Sequence, residues 1–349
     1  MADLPEAGAA AAALPWLPLP PWQLAAARTA LAQRSTWPHA LLIHGTRGIG
    51  KHALALGLAQ ALLCESPQAD GLACGRCPGC RYAVAGQHPD LMRIELLETD
   101  EDTGELKPVE TIGIKRVRAL IDFVALTSHR QRAKVAVIVP AERMHVAAVN
   151  ALLKTLEEPP AGTYLILVAE LIGRLPATIL SRCRRLRLSP PDPDEATAWL
   201  AEQGVAEPGL ALAQAAGAPL AALELADAEW QSERRVWLAA LGEPQRLPVI
   251  ALAARIDAGA KDGRRARLAR VIDWLVSWTA DLARVAAGGA VRRNPDFAPE
   301  MARLAARVAP IAAFRYHETL LRQRALLAHP LQPRLVAEAM LIDYRALFR

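Results

Sequence analysis

The 349-residue sequence predicts an α/β domain with a parallel sheet, followed by helical domains. Three observations carry that prediction. Short apolar runs alternate with helical periodicities up to about residue 188, the pattern of strands joined by crossover helices that cover both faces of a sheet. A glycine-rich segment stands between the first apolar run and the first long helical pattern. Beyond Ser189 the chain is rich in Ala and Leu, with helical spacing and no comparable strand runs.

Composition supports folded cores. The chain is 52% hydrophobic and 22% charged, with a mean hydropathy of +0.14, which excludes disorder as its general state. At this length two to three domains are expected. The formal charge of +5 is mild; it permits direct nucleic-acid binding without arguing for it. Asp3 and Glu6 stand where a signal peptide would be cationic, and no apolar stretch reaches a membrane span, so a soluble, cytoplasmic protein is expected.

In chain order, a Pro-rich leader (Leu14 to Trp22) precedes a helix expected over Gln23–Gln33. Pro38-His39 then leads into a strand at Ala40–Ile43. Further strands are expected at Leu91–Leu96, Lys134–Val139, Tyr164–Ala169 and Arg185–Leu188, with helices at His52–Leu63, Ile114–Ala125 and Ala147–Leu156. Ser189-Pro190-Pro191-Asp192-Pro193 marks a break, with Asp194 expected as the N-cap of the next helix. In Ala266–Leu282, Leu268, Val271, Ile272, Leu275 and Leu282 share one face, and Trp274 and Trp278 lie on a neighbouring one, the pattern of a helix buried in a bundle. The expected domains are therefore 1–188 with an insert at 64–80, a small helical unit at 189–231, and a helical domain at 232–349.

Gly45-Thr46-Arg47-Gly48-Ile49-Gly50-Lys51, between strand and helix, has the context of a phosphate-binding loop. Gly45, Gly48 and Gly50 would let backbone N–H groups converge on phosphate oxygens at the positive end of the following helix, with Lys51 reaching the terminal phosphates. A hydrolytic loop then needs Ser or Thr to hold Mg²⁺, and here the residue is His52. The acidic second contact should end a later strand. Lys134–Val139 runs instead into Pro140, and Glu142 comes two or three residues late. The nucleotide fold is thus expected without its hydrolytic equipment. The loop backbone and Lys51 are retained, so passive ATP or ADP binding is left open.

Cys64, Cys74, Cys77 and Cys80 are spaced C-x9-C-x2-C-x2-C. Two tight x2 turns can aim neighbouring thiolates at one tetrahedral centre, with Cys64 closing it, which implies a structural Zn²⁺ in a reducing compartment. Arg76 and Arg81 are placed to offset the charge of four thiolates. Cys183, with no His in a partnering context, reads as a packed thiol. Taken alone, Arg182 among Arg184, Arg185 and Arg187 reads equally well as surface charge.

Together, the segment Asn150–Pro160 (NALLKTLEEPP), the segment Thr178–Cys183 (TILSRC) and the four-cysteine insert resemble the AAA+ clamp-loader family of bacterial DNA polymerase III. The resemblance is strong over residues 38–188 and fair to about 227, and implies an AAA+ nucleotide-binding domain, a helical lid and a C-terminal collar that oligomerises. It also implies membership of a hetero-pentamer with motor subunits (gamma or tau) and a delta subunit, which loads the sliding clamp onto primer-template DNA. That assembly is part of the DNA polymerase III holoenzyme, a DNA-directed DNA polymerase and so a nucleotidyltransferase. In this family an arginine of the Ser-Arg-Cys motif completes the neighbour's ATP site, and the matching residue here is Arg182. Val139 and Pro140 replace the acidic pair, Leu220 stands where motors carry a phosphate-sensing arginine, and Glu170 lies near the place of a polar sensor. These losses imply a non-motor subunit with no ATPase activity of its own. A motor-type ATPase with unusual metal ligation and a zinc-dependent nucleic-acid-binding module are the alternatives.

Overall fold

The computed structural model describes residues 18–34, 37, 40–99, 106–259, 263–325 and 332–349. The start of the leader and Pro38-His39 lie outside them. The chain divides into two compact units, one ending at Asp192 and the other beginning at Pro193, within the predicted break.

The first unit contains α1 (Leu24–Ala32), β1 (Ala40–His44), α2 (Lys51–Leu63), α3 (Pro78–Val84), β2 (Leu91–Ile94), β3 (Leu97–Thr99) and β4 (Leu106–Pro108). It continues with α4 (Ile114–Ala125), β5 (Lys134–Ile138), α5 (Val146–Glu157), β6 (Thr163–Ala169), α6 (Ala177–Leu180) and β7 (Arg184–Arg187). Five strands form a sheet in the order β2-β5-β6-β1-β7, and every pair in it is parallel. β5 is buried along its whole length and reads as an unbroken apolar run because helices cover both of its faces. On one face, Ile94, Ala136, Ile138, Leu165 and Leu167 pack with Val117, Leu120, Val124, Ala148 and Leu152 of α4 and α5.

β2 is shorter than its apolar run because its partner β5 ends at Ile138, opposite Ile94. The chain then makes an antiparallel β3–β4 pair, which the sequence does not announce. β4 is exposed throughout, so it lacks the alternation that marks a half-buried strand.

The second unit contains α7 (Pro193–Glu202), α8 (Pro208–Gln214), α9 (Pro219–Leu225), α10 (Ala228–Leu241), α11 (Val249–Ala254) and α12 (Arg264–Ala286). α13 (Ala298–Ala305), α14 (Pro310–Ala325) and α15 (Pro333–Ala346) complete it. Asp194 is not the cap of α7. The helix starts one residue earlier, at Pro193, a residue suited to a first helical position, and Asp194 and Glu195 occupy the first turn, where the helix dipole favours acids. α10 is continuous across residues 231 and 232, so the expected lid and collar segments share it.

On α12 both predicted faces are buried, Trp274 and Trp278 as well as Leu268, Val271, Ile272, Leu275 and Leu282. Trp278 Nε1 donates to Tyr344 Oη at 2.8 Å, and that hydroxyl donates to Leu241 O at 2.9 Å, so one buried chain ties α12, α15 and α10 together. Fully buried Asp281 accepts the N–H groups of Arg292, Arg293 and Asn294 at 2.8–3.0 Å and so fixes the turn after α12. Among the described residues, no helix is long and apolar enough to cross a membrane.

Candidate functional site: a closed phosphate loop, a cysteine cluster and an outward arginine

The loop Gly45–Lys51 follows β1 and opens α2, the strand-to-helix setting that its sequence predicts. Gly48 and Gly50 have φ of 78° and 90°, in the left-handed region. A Cβ at Gly50 would stand 2.5 Å from Gln23 Nε2, and one at Gly45 would stand 2.4 Å from Leu188 O, so the loop is packed from both sides. Gln23, 1% exposed, donates to Ile49 O at 2.5 Å, and Trp22 Nε1 donates to the same carbonyl at 3.1 Å. The segment before α1 therefore latches the loop, a role with no sequence signal because Trp22 and Gln23 belong to no motif.

Lys51 is turned inward. Its Nζ donates to Thr46 O at 2.7 Å and lies 4.0 Å from Glu170 Oε1, and its side chain is only 6% exposed. Burial pushes its pKa down, opposed by the carboxylates of Glu170 and Glu142. Glu142 Oε1 accepts the N–H groups of Glu170 and Leu171 at 2.9 and 3.1 Å, so Glu142 caps the end of β6. His52, largely but not fully buried, lies 3.8 Å from Glu95 Oε1, and desolvation lowers its pKa to about 4. At neutral pH it is an uncharged imidazole, a poor partner for a hard cation.

The four cysteines come together where α2 ends and α3 begins, with Cys64 capping α2, Cys77 capping α3 and Cys80 in its first turn. Their Sγ atoms all lie within 4.8 Å of one another. Cys64–Cys77 and Cys74–Cys80 are 3.9 and 4.0 Å apart, close to the ~3.8 Å edge of a tetrahedron with metal–sulfur bonds of about 2.3 Å. Backbone N–H groups point at the sulfurs: Cys74 N to Cys64 Sγ at 3.3 Å, Cys77 N to Cys74 Sγ and Cys80 N to Cys77 Sγ at 3.4 Å each. Burial raises the Cys77 pKa, but the N–H groups of Cys80 and Glu65 and the neighbouring cysteines bring it down to about 6. Donor set, spacing and N–H···S bonds fit a thiophilic metal ion, and the cluster can hold one.

Arg81 lies beside the cluster, its Nε bonded to Arg76 O at 3.1 Å. Two arginines that the sequence does not single out reach the same place: Arg132 Nε donates to Cys64 O at 3.2 Å, and Arg130 Nε to Glu65 Oε1 at 2.9 Å.

Arg182 sits just after α6. Its Nε donates to Glu157 Oε1 at 2.7 Å, Nη2 contacts the same oxygen, and Nη1 donates to Thr178 O at 3.0 Å and Ser181 Oγ at 3.2 Å. Its side chain is 31% exposed. Cys183 is buried, and burial alone pushes its thiol up to about 12, which fits a packed thiol. Arg187 is exposed on β7, and Leu220 lies in α9.

A parallel sheet with a glycine-rich loop at the end of β1, a four-cysteine cluster that could hold a metal ion and a helical C-terminal unit define an α/β protein of the phosphate-loop class. Residues 24–192 match the family described as "DNA polymerase III, delta subunit". The chain is 41% identical over 209 residues to DNA polymerase III subunit delta' of Pseudomonas aeruginosa, covering 59% of this chain and 60% of that protein. It is 40% identical over 235 residues to the Yersinia pestis delta' subunit, covering 64% and 66%. Similarity to subunit tau of Salmonella typhimurium is 36% over 157 residues, covering 45% of this chain and 22% of that one. The resemblance read from the motifs is thus borne out as one to delta' subunits. The matches span less than two thirds of the length of those relatives.

Proposed function

We propose that this chain is a non-motor subunit of a replicative clamp loader, which lends Arg182 to the ATP site of a neighbouring motor subunit. The observation that carries the reading is the contrast in exposure between two cations of the motifs, Lys51 and Arg182. Lys51 is 6% exposed and held by the chain's own Thr46 and Glu170, while Arg182, though paired with Glu157, is 31% exposed. A guanidinium at a neighbour's γ-phosphate stabilises the charge that develops there and is worth roughly 10³–10⁵ in rate. The phosphate loop of Gly45, Gly48, Gly50 and Lys51 serves on this reading as a structural joint with no turnover of its own. Partners in the same reading are gamma or tau motor subunits and a delta subunit, with the sliding clamp and primed DNA engaged through the assembly. The division into a nucleotide-binding domain at 1–188, a lid at 189–231 and a collar at 232–349 belongs to it too, as does Zn²⁺ as the ion of Cys64, Cys74, Cys77 and Cys80. That ion would cross-link the insert, and no step of the reaction passes through it.

The test is reconstitution. Mixed with cognate motor and delta subunits, the chain should enter one complex with the mass of a five-subunit ring, and ATPase stimulated by clamp and primed DNA should require it. A chain that stays separate, or a loader equally active without it, would contradict the proposal.

A further inference from the structure

Arg182 and Glu157 belong to the two sequence segments that are most diagnostic of this chain, and they meet in one ion pair. The pairing limits what Arg182 can do. A guanidinium has five N–H groups. Nε and one N–H of Nη2 go to Glu157 Oε1, and Nη1 serves Thr178 O and Ser181 Oγ, which leaves one N–H on Nη2. An oxyanion is held best by two parallel N–H groups of one edge. The Nε/Nη2 edge is taken by the carboxylate, and the Nη1/Nη2 edge is half taken by the turn. Arg182 cannot grip a phosphate with two bonds while Glu157 keeps its place.

We infer that Glu157 is a positioning residue that stows Arg182, its carboxylate occupying the edge of the guanidinium that a neighbour's nucleotide phosphate takes when the ring is loaded. Position and strength suit an exchangeable hold. Glu157 is the last residue of α5, where the helix dipole disfavours an acid. Its side chain is 48% exposed and that of Arg182 31%, so the pair is a weak, solvent-screened one that a phosphate can displace. The Nη1 bonds to Thr178 and Ser181 keep the guanidinium at the turn while its other edge changes partner.

This inference rests on the in-trans role proposed above, and the test separates the two. In a loader reconstituted from full-length subunits, ATP hydrolysis is measured against ATP concentration without clamp or DNA, for Glu157→Gln, Glu158→Gln, Arg182→Ala and the double variant Glu157→Gln/Arg182→Ala. Glu157→Gln should lower the apparent KM for ATP by about two- to fivefold, the range over which one exposed ion pair moves an equilibrium, with kcat little changed. Glu158→Gln, at an exposed neighbour that does not touch Arg182, should be silent. In the Arg182→Ala background Glu157→Gln should have no effect. A KM unchanged or raised by Glu157→Gln, or lowered equally in both backgrounds, overturns the stowing role while leaving the in-trans arginine intact. An Arg182→Ala loader as active as the parent overturns both.

Discussion

The phosphate loop and the Ser181-Arg182-Cys183 turn lie in one unit and treat their cations in opposite ways. At the loop, the lysine is 6% exposed, bonded to a loop carbonyl and faced by Glu170, while Trp22 and Gln23 close on Ile49 O. At the turn, the arginine is 31% exposed and held by an exposed carboxylate that solvent can replace. The loop thus has its polar groups satisfied within the chain, with its glycine-rich backbone retained. On the proposed reading, a group lent to another site needs partners that it can leave, and the exposed Glu157 is such a partner. The loop lysine is therefore part of the buried interior, and the turn's arginine is not.

The largest effect expected on the contrast is at the cysteine cluster, which depends on neither cation. Protein prepared without chelator should carry about one zinc per chain. Cys77→Ser should abolish this and open residues 64–88 to protease, because the insert has little apolar core of its own. The sheet should keep its cooperative unfolding, since the cluster that packs α4 and α5 on the sheet contains none of the four cysteines. Metal analysis with limited proteolysis checks both halves; a metal-free parent protein would remove the zinc reading.

Next comes the latch. Gly50→Ala puts a Cβ 2.5 Å from Gln23 Nε2 at φ 90°, whereas Gly86 has φ 70° and no heavy atom within 4 Å of its Cβ position. Gly50→Ala should therefore cost about 1–3 kcal/mol in denaturant unfolding and Gly86→Ala about 1 kcal/mol. Equal costs would mean that the segment before α1 does not hold the loop.

A smaller effect concerns pH. His52 has a folded pKa of about 4, below the usual 6.5, because burial disfavours its charge. The unfolded chain therefore binds a proton more readily. The contribution is complete above pH 6.5 and is lost as the pH falls toward 4, in total on the order of 1–3 kcal/mol. His52→Gln should flatten the stability profile in that window, as urea unfolding at several pH values would reveal. An unchanged slope would place the titration elsewhere.

Much of the fold is legible in the sequence because its signals are local. The periodicity of Ile114–Ala125 coincides with α4, and the apolar runs of β1, β5 and β6 are each within about one residue of the observed strands. The cysteine spacing and the strand–glycine–helix order give the cluster and the loop for the same reason. What escapes is long-range or exposed. The β3–β4 pair has an outward strand without apolar alternation. Arg132 reaches Cys64 O across 68 positions, and Gln23 reaches Ile49 O across 26. Glu142 is legible as an acid too late in the chain to serve a metal, but its use as a cap for β6 depends on two strands meeting side by side. The sequence also leaves Arg182 balanced between surface charge and a contributed group. Its exposure and its pairing with Glu157 are features of the fold that no spacing records.

One assay sets the two regions against each other. ATPase stimulated by clamp and primed DNA is measured for a reconstituted loader carrying Lys51→Ala, Arg182→Ala or Arg187→Ala in this chain, each checked for intact assembly. The account predicts a marked loss for Arg182→Ala, limited to the share of one site in the ring, and near-parental rates for Lys51→Ala and for Arg187→Ala. A loss at Lys51 with none at Arg182 would mean a working nucleotide site in this chain and no contribution to its neighbour, and would contradict it.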